Sequence, residues 1–314
     1  MAREFPNWQI PLSNYYQPPS PPHTYREDSP GKNGQLLLEI SPRGVVKQQA
    51  KAPLSMSKML RLEPNLPTTW YGYIRSIGGG IAQYDRHQIT LHTRPSAHAV
   101  FTSQAASRIH RMDTNYGLQQ VTLHADKSSV LEYFPDAIIP SQNSRFRQVT
   151  DIFAHDDATI LTGDLFTAGR IAHGELFDLD WLEIRTTASR HSDSLQPHQK
   201  HLVLREQARF DSRRQLTSPI NHHTFSCWAT LLVLPPRAWQ NKRQLTALRD
   251  ALRHTADAVA SDTLIGTSTL PYDAGCWARI FGSRLPEVER AQFQLWSTAR
   301  EILLGRPAVS LRKM

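Results

Sequence analysis

Short segments in which apolar and polar residues alternate dominate the chain from residue 35 to about residue 209. In HQITLHT, for example, Ile89 and Leu91 are apolar while their neighbours are polar, which is the period of a strand with one buried face. Turn residues separate such segments, and no amphipathic helix of useful length lies between them. Because the strands of a doubly wound parallel sheet require helices between them, the pattern predicts an all-β core.

The pattern changes to a helical period in the last third of the chain. Residues 241–260 place Leu245, Leu248, Leu252 and Val259 on one helical face, and residues 286–304 repeat that arrangement. Pro286 opens the second helix, and Gly305 followed by Pro307 ends it. The segment TFSCWATLLVL, at 224–234, is predicted to be a strand that joins these helices to the β core.

Proline sets the N-terminal segment apart from the rest. Residues 1–30 hold seven of the 21 prolines, which remove backbone donors and fix φ, so this leader is predicted to be disordered. The predicted organisation is therefore a proline-rich leader over 1–30, a β-rich core over 31–220, and a C-terminal section over 221–314. In that last section a strand and helices form a smaller, helical (α/β) part packed on the core. The fold class predicted is mainly β.

Composition narrows the location and the partners. The N-terminus lacks the apolar run of a secretory signal, and the most apolar window, TLLVL, ends at Pro235 and is too short to span a bilayer. We therefore expect a cytoplasmic protein with no membrane association. Cys227 and Cys276 are not part of a CxxC pair and are interpreted as buried thiols in a reducing compartment.

The formal net charge of +8 raises the hypothesis of a nucleic-acid-binding module. The arginines and lysines are scattered singly and in pairs, however, without a basic helix or a basic strand carrying interleaved aromatics. A basic surface that docks an acidic protein explains the charge equally well. We therefore expect no nucleic acid among the partners.

The glycine run GGGIAQYD, at 78–85, does not fit a phosphate-binding loop. It lacks both the GxGxxG spacing and the GK[ST] ending, and a strand pattern follows it, so a tight turn that only glycine fits is expected. His87 and His92 are five residues apart, with no HxH or HxxxH pair nearby, and several other histidines are isolated. The adjacent pair His222-His223 would point to opposite faces of a strand. No stable metal site is predicted.

Four carboxylates lie inside apolar strand segments, where burial is costly unless the charge is paired or hydrated. They are Glu132, Asp164, Glu175 and Glu206. Arg170 and Arg205 are candidate partners for simple buried salt bridges. Alternatively, several of these oxygens face one interior channel that binds a divalent ion weakly during transit. A third interpretation is a β-helical carbohydrate-acting enzyme that uses two of them on an exposed cleft. No known catalytic motif is present, and no catalytic residue is predicted.

Seven motifs in order resemble the sequence plan of the UreD (UreH) family of urease accessory proteins. They are GGGIAQYD, TSQAASRIHR (102–111), LEYFPDAIIPSQNSRFRQ (131–148), TGDLFTAGRIAHGELF (162–177), LVLREQ (202–207), GTSTLPYDAGCWARIFG and LLGRPAVSLRK. The resemblance covers roughly residues 30–314. It implies a β-helix-like core with a helical C-terminal part and no catalytic activity. It also implies a complex with UreF, the GTPase UreG and the urease apoenzyme, and it allows a homodimeric arrangement within that complex.

The resemblance further implies a metallochaperone scaffold through which Ni²⁺ passes to urease along an internal tunnel. No cofactor is expected to be tightly bound, since GTP belongs to UreG. The family's motifs place Asp85, Ser107, Asp164 and Glu206 as candidates for lining the nickel passage. They place Arg170 and Glu175 as a structural pair near it.

The chain departs from the family pattern at three points. Gln83-Tyr84 stand where the family usually has two glycines, Arg108 stands where it usually has lysine, and His110 replaces an apolar or small polar residue. Tyr84 is expected to narrow or stiffen the loop at the mouth of the tunnel.

Overall fold

A computed structural model of the chain describes residues 31–63, 68–192, 201–211, 225–260 and 262–311. The strands are β1 (Asn33–Ser41), β2 (Gly44–Lys51), β3 (Leu54–Met56), β4 (Thr69–Ser76), β5 (Arg86–Thr93), β6 (His98–Ser103), β7 (Ser107–Ile109), β8 (Gly117–Ala125), β9 (Val130–Tyr133), β10 (Ile138–Pro140), β11 (Arg145–His155), β12 (Thr159–Thr162), β13 (Leu165–Thr167), β14 (Trp181–His191), β15 (His201–Asp211), β16 (Cys227–Leu234), β17 (Thr263–Thr269) and β18 (Cys276–Gly282). The two α-helices are α1 (Lys242–Val259) and α2 (Leu285–Leu304). The leader predicted for residues 1–30 and the predicted boundary at residue 220 lie outside the described residues.

Strands make up about 49% of the structure and helices about 18%, which confirms the predicted mainly β class. The first sheet has the order β15-β14-β11-β8-β5-β1-β2, and its five inner strands are parallel. In the second sheet β4, β6, β9 and β12 are likewise parallel neighbours. The chain crosses from one sheet to the other and back, so it forms a β-solenoid of about four turns. The opposite sheet therefore provides the return path that a helix provides in a doubly wound fold.

The alternation in the sequence corresponds to the two faces of the first sheet. In β5 the residues at odd positions are buried, and Ile89 and Leu91 are 4% and 0% exposed. They contribute to one apolar cluster with Val121 and Leu123 of β8 and Ile152 of β11. Each turn of the solenoid adds a layer to this cluster, because successive strands pair in register.

The two helices pack on the second sheet and form a separate apolar cluster with β16 and β18. Leu245, Leu248 and Leu252 of α1 are buried, as the helical period predicted. In α2 the buried face includes Val288, Ala291, Leu295 and Ala299, and Gly305 ends the helix in the left-handed conformation. Neither of the helices in the described part of the chain is both long and apolar enough to cross a membrane.

Asn241 caps the first of these helices, because its side-chain oxygen accepts the N–H of Gln244 at 3.0 Å. Replacing this residue by alanine leaves that N–H without its side-chain partner. We expect Asn241→Ala to lower the free energy of unfolding by about 1 kcal/mol, measured by urea denaturation. Asn241→Ser retains a capping oxygen and should lie close to the native value. A loss as large in the serine variant would contradict the capping role.

A buried ion cluster joins α2 to the solenoid. It consists of Glu63, His98, Glu132, Trp296 and Arg300. Both oxygens of Glu132 are engaged: Oε1 lies 2.6 Å from His98 Nε2, and Oε2 accepts the Trp296 indole N–H at 2.5 Å. Arg300, which is 0% exposed, donates to Glu63 at 2.9 Å and places its Nε 3.2 Å from Glu132. Glu132, the carboxylate inside VLEYF, is thus paired with a cation rather than exposed to a channel.

Arg306, just beyond α2, fixes the protonation of the histidine in this cluster. Its Nη2 lies 2.9 Å from His98 Nδ1, and since a guanidinium has only donors, Nδ1 is the accepting nitrogen. The proton is then on Nε2, which donates to Glu132. Burial alone would raise the pKa of Glu132, but Arg300 and His98 outweigh burial and hold that pKa below its ordinary value of 4.5. Glu132 is therefore ionised at neutral pH.

Candidate functional site

The glycine run forms the sharp turn that precedes β5. Gly79 and Gly80 have φ of 72° and 141°, which are unfavourable for residues with a Cβ. A Cβ on Gly80 would also lie 2.6 Å from the carbonyl oxygen of Arg108, so close approach to the neighbouring strand requires glycine there. Asp85 ends the turn at 2% exposure, and its carboxylate accepts the N–H groups of Lys32 and Ala82 at 2.6 and 2.8 Å. Asp85 is thus a buried negative charge held by backbone donors.

Tyr84 lies in the left-handed region, with φ of 67°. That conformation costs a non-glycine residue about 1–2 kcal/mol. The chain packs closely against it, since a Cβ on Gly31 would come within 2.1 Å of the Tyr84 carbonyl carbon. Tyr84 and Asp85 are absent from the walls of the two internal cavities described next.

The larger cavity, here the His87 cavity, has a volume of about 650 Å³ and lies between the two sheets at the first turns of the solenoid. His87, Ser107, Gln119 and Tyr133 contribute polar groups to its wall. Isoleucines from both sheets form much of the rest, and the exposed segment 104–106 forms part of its rim. The predicted passage residue Ser107 therefore lines this cavity.

His87 is 1% exposed, and its Nε2 has no hydrogen-bond partner among the described residues. Burial lowers the pKa of His87 below 6.5, the nearby charge of Asp85 pulls that pKa upward, and Lys32 lowers it further. The net shift is downward, so the imidazole is neutral at pH 7. A neutral imidazole presents one nitrogen lone pair for a ligand.

The smaller cavity, here the Asp164 cavity, has a volume of about 80 Å³ and lies between the sheets near the last turns. Two predicted passage residues, Asp164 and Glu206, line it together. The remaining wall is made by Phe166, Ile184, Thr186, Ala208, Phe210, Trp228, Ala229, Thr230, Trp277, Arg279 and Phe281. Glu206 forms an ion pair with Arg279, whereas Arg205, the partner considered from the sequence, is exposed.

Asp164 occupies the short break between β12 and β13. Its N–H donates to the Thr230 hydroxyl at 3.0 Å, and its carbonyl accepts the Gln292 amide of α2 at 3.2 Å, so strand and helix together position it. Burial raises the pKa of its carboxyl to about 6, partly offset by a hydrogen bond from Gln148. Asp164 therefore releases its proton close to neutral pH.

A chain of side chains connects the two cavities, and we call it the polar row: His87, Gln119, Gln148 and Asp164. Gln119 Nε2 donates to Gln148 Oε1 at 3.3 Å, and Gln148 Nε2 donates to Asp164 Oδ1 at 2.6 Å. His87 and Gln119 are register partners on neighbouring parallel strands, so their side chains lie on the same face. Gln119 and Gln148 are 7% and 1% exposed. The row thus runs through the interior of the solenoid.

Comparison with known proteins decides the family. The model of the UreD urease accessory protein family matches residues 32–313. The chain belongs to the UreD family of urease accessory proteins. A urease accessory protein UreD 2 of Streptomyces griseus is 34% identical over 301 residues, covering 94% of this chain and 98% of the relative. A UreD 2 of Brucella ovis is 31% identical and covers 94% of each chain, and a UreD of Cenarchaeum symbiosum is 30% identical and covers 90% and 96%.

Membership of the UreD family gives this protein a role in urease maturation. Its relatives are named accessory proteins rather than enzymes. The recognition made from ordered motifs is therefore confirmed, and the β-solenoid agrees with the fold that the resemblance implied.

On the surface of this UreD-family chain, Arg170 and Glu175 form a two-point ion pair, and Glu175 also accepts the N–H of Gln142 at 3.1 Å. Arg170 lies on the wall of a surface groove of about 560 Å³. The other charged or titratable residues on that wall are Arg108, His110, His173 and Arg284, all of them exposed. Part of the positive charge of the chain is thus concentrated in one groove, the basic groove.

The four carboxylates found in apolar strand segments do not share the exposed cleft that a β-helical carbohydrate-acting enzyme would need. Glu132 belongs to the buried ion cluster, and Glu175 is paired with Arg170. Asp164 and Glu206 share a cavity of about 80 Å³, well below the 300–1,000 Å³ of ordinary ligand pockets. Among the described residues, no group of three or more His, Cys, Asp or Glu is arranged to hold a metal ion.

Sequence reasoning missed three members of the polar row: His87, Gln119 and Gln148. The alternation of apolar and polar residues nevertheless marks two of them as buried polar positions. His87 has the same alternation phase as Ile89 and Leu91, and Gln119 has the phase of Val121, so each is a polar residue at a position reserved for the core. A buried polar residue in an apolar phase requires a partner. Gln119 finds one in Gln148 on another turn, whereas Nε2 of His87 has none among the described residues.

Proposed function

We propose that this chain delivers Ni²⁺ to the urease apoenzyme through its interior, along the polar row. The observation that carries the proposal is the set of polar side chains, three of them buried, that runs from the His87 cavity to the Asp164 cavity. Buried polar side chains between two cavities offer a hydrated ion successive oxygen and nitrogen ligands while apolar walls exclude bulk water.

The chemistry of the row suits transit rather than storage. Amide and hydroxyl oxygens are weak ligands for a divalent ion, and Asp164 is the row's single carboxylate. Since the pKa of Asp164 is about 6, an arriving cation displaces its proton at little cost near neutral pH. Ser107 at the first cavity and Glu206 at the second extend the oxygen ligands beyond the row.

The partners in this proposal are UreF, the GTPase UreG and the urease apoenzyme, with GTP bound by UreG and nickel as cargo rather than resident cofactor. The net charge of +8 and the basic groove support docking of an acidic protein surface. The proposal also places two copies of the chain in the assembled complex and the complex in the cytoplasm.

Co-expression with UreF, UreG and the urease subunits tests the partnership. A tagged form of the full chain should retain UreF and apo-urease on an affinity column, and the retained fraction should fall as salt screens the basic groove. Failure to retain either protein at low salt would contradict the partnership.

The passage is tested by replacing Gln119 with an apolar residue, which interrupts the polar row. We expect Gln119→Leu to reduce nickel loading of urease about fivefold, because leucine removes the amide that donates to Gln148 and that lies on the strand beside His87. The matched control is Gln120→Leu, which changes the next residue of β8 on its outer face and should load urease normally. Nickel content per urease active site, measured by mass spectrometry of metals, is the readout. Equal loading by both variants would remove the row from the pathway.

A further inference from the structure

The His87 cavity contains a nitrogen for which the protein provides no partner. Nε2 of His87 is fully buried and unpaired among the described residues, and its ring faces a cavity of about 650 Å³. A buried polar atom without a hydrogen bond costs about 1–3 kcal/mol. A water or a ligand that enters the cavity and reaches Nε2 would satisfy it.

We propose that His87 Nε2 is the ligand by which this cavity captures a late first-row divalent cation and discriminates against Mg²⁺ and Ca²⁺. The inference rests on the proposed passage of nickel and adds the residue that selects the ion. Imidazole nitrogen binds nickel, copper and zinc well, whereas magnesium and calcium prefer oxygen ligands. No other nitrogen of the polar row is an acceptor, since those of Gln119 and Gln148 carry hydrogens.

The surroundings favour a cation at this nitrogen. The buried carboxylate of Asp85 attracts a cation to the ring of His87, and the charge of Lys32 opposes that attraction in part. Ser107 and Gln119 supply oxygen atoms on the same cavity wall. Arg75 and Arg108 also border the cavity, but both are exposed residues at its edge, where water screens their charge.

Metal-catalysed oxidation locates the ion directly. Cu²⁺ with ascorbate oxidises the histidines that ligate copper, and peptide mass spectrometry of the full chain identifies them. His87 falls in one peptide after cleavage at arginine, and His254, which is exposed on α1, is the control. We expect oxidation at His87 that Ni²⁺ suppresses at least about tenfold more effectively than Mg²⁺. Absence of oxidation at His87, or equal protection by both ions, overturns the proposal.

Loading of urease at limiting nickel provides the functional test. His87→Leu should load about tenfold less nickel than the native chain, in line with the loss caused by removing groups around a metal. His92→Leu should load normally. His87→Gln is the second variant, because it keeps a polar side chain in the cavity and should fold even if the leucine variant does not. It should also lose the preference for Ni²⁺ over Mg²⁺.

The two proposals fail in different ways. If Gln119→Leu lowers loading while both His87 variants load and discriminate like the native chain, the selecting role of His87 is wrong and the passage stands. If neither the Gln119 variant nor the His87 variants lower loading, the passage itself is wrong, and the role of His87 with it.

Discussion

Replacing Arg300 by methionine is expected to lower the free energy of unfolding by about 3–5 kcal/mol at pH 7. The substitution keeps much of the side-chain volume but leaves Glu63 and Glu132 buried without their shared cation, and an uncompensated buried charge carries a cost of that size. Urea denaturation monitored by tryptophan fluorescence measures it. Arg290→Met, at an exposed position on the same helix, should change stability by less than about 0.5 kcal/mol.

The pH dependence of this loss of stability shows whether Arg300 acts through its charge or through its packing. In the native chain Glu63 and Glu132 have a lowered pKa, so their stabilising contribution is present above pH 4.5 and is lost as the pH falls through their folded-state pKa values. In Arg300→Met the effect of burial on the pKa is offset only by the remaining partners, Tyr71 and Arg306 at Glu63 and His98 and Trp296 at Glu132. Both carboxyls therefore become easier to protonate. The difference between variant and native chain should therefore shrink below pH 4.5. A difference that stays constant from pH 7 to pH 4 would show that Arg300 acts through packing alone.

Replacing Asp164 by asparagine is expected to have two opposite effects. It should raise the free energy of unfolding, and it should lower nickel loading of urease. Because burial raises the pKa of Asp164 from 3.8 to about 6, its ionised form destabilises the folded state. That penalty is absent below pH 3.8, grows between pH 3.8 and 6, and is complete above pH 6. The full difference in pKa corresponds to about 3 kcal/mol of folding free energy. Because Asp164 is partly exposed, we expect Asp164→Asn to raise the free energy of unfolding by about 1–3 kcal/mol at pH 8.

The same substitution should reduce nickel loading of urease several-fold, since an amide offers the ion no charge. Asp250→Asn, at an exposed position of α1, is the control and should alter neither stability nor loading. Stability and loading are measured on the same preparation at pH 5 and pH 8. A variant that is less stable at pH 8 and loads nickel normally would assign Asp164 a purely structural role.

The strands and helices were predictable from short stretches of sequence, because alternation, helix capping and helix termination depend on residues that are close together in the chain. Ile89 and Leu91 define the buried face of β5, and Asn241 and Gly305 mark the start of α1 and the end of α2. The parallel order of the strands was not predictable from that pattern. A solenoid and an antiparallel meander both require alternating strands separated by turns, and only the resemblance to a family distinguished them.

The candidate site was only partly predictable, because some of its residues are in contact although they lie far apart in the sequence. Asp164 and Glu206 were identified by their place in apolar segments and by family motifs, but Gln119 and Gln148 are 29 residues apart. Their contact depends on the register between successive turns, which no short window of sequence contains. The role of Asp85 also depends on backbone donors, the N–H groups of Lys32 and Ala82, which the residue types alone do not reveal.

The ribosome makes Glu63 and Glu132 long before it makes Arg300, which follows Glu63 by 237 residues. Until α2 has emerged, the turns of the solenoid already synthesised hold two carboxylates without the cation that the finished fold gives them. Those turns must keep the carboxylates hydrated or protonated, so their interior cannot close completely during translation. We therefore expect a nascent chain that stops short of Arg300 to be less compact around these carboxylates than the finished fold.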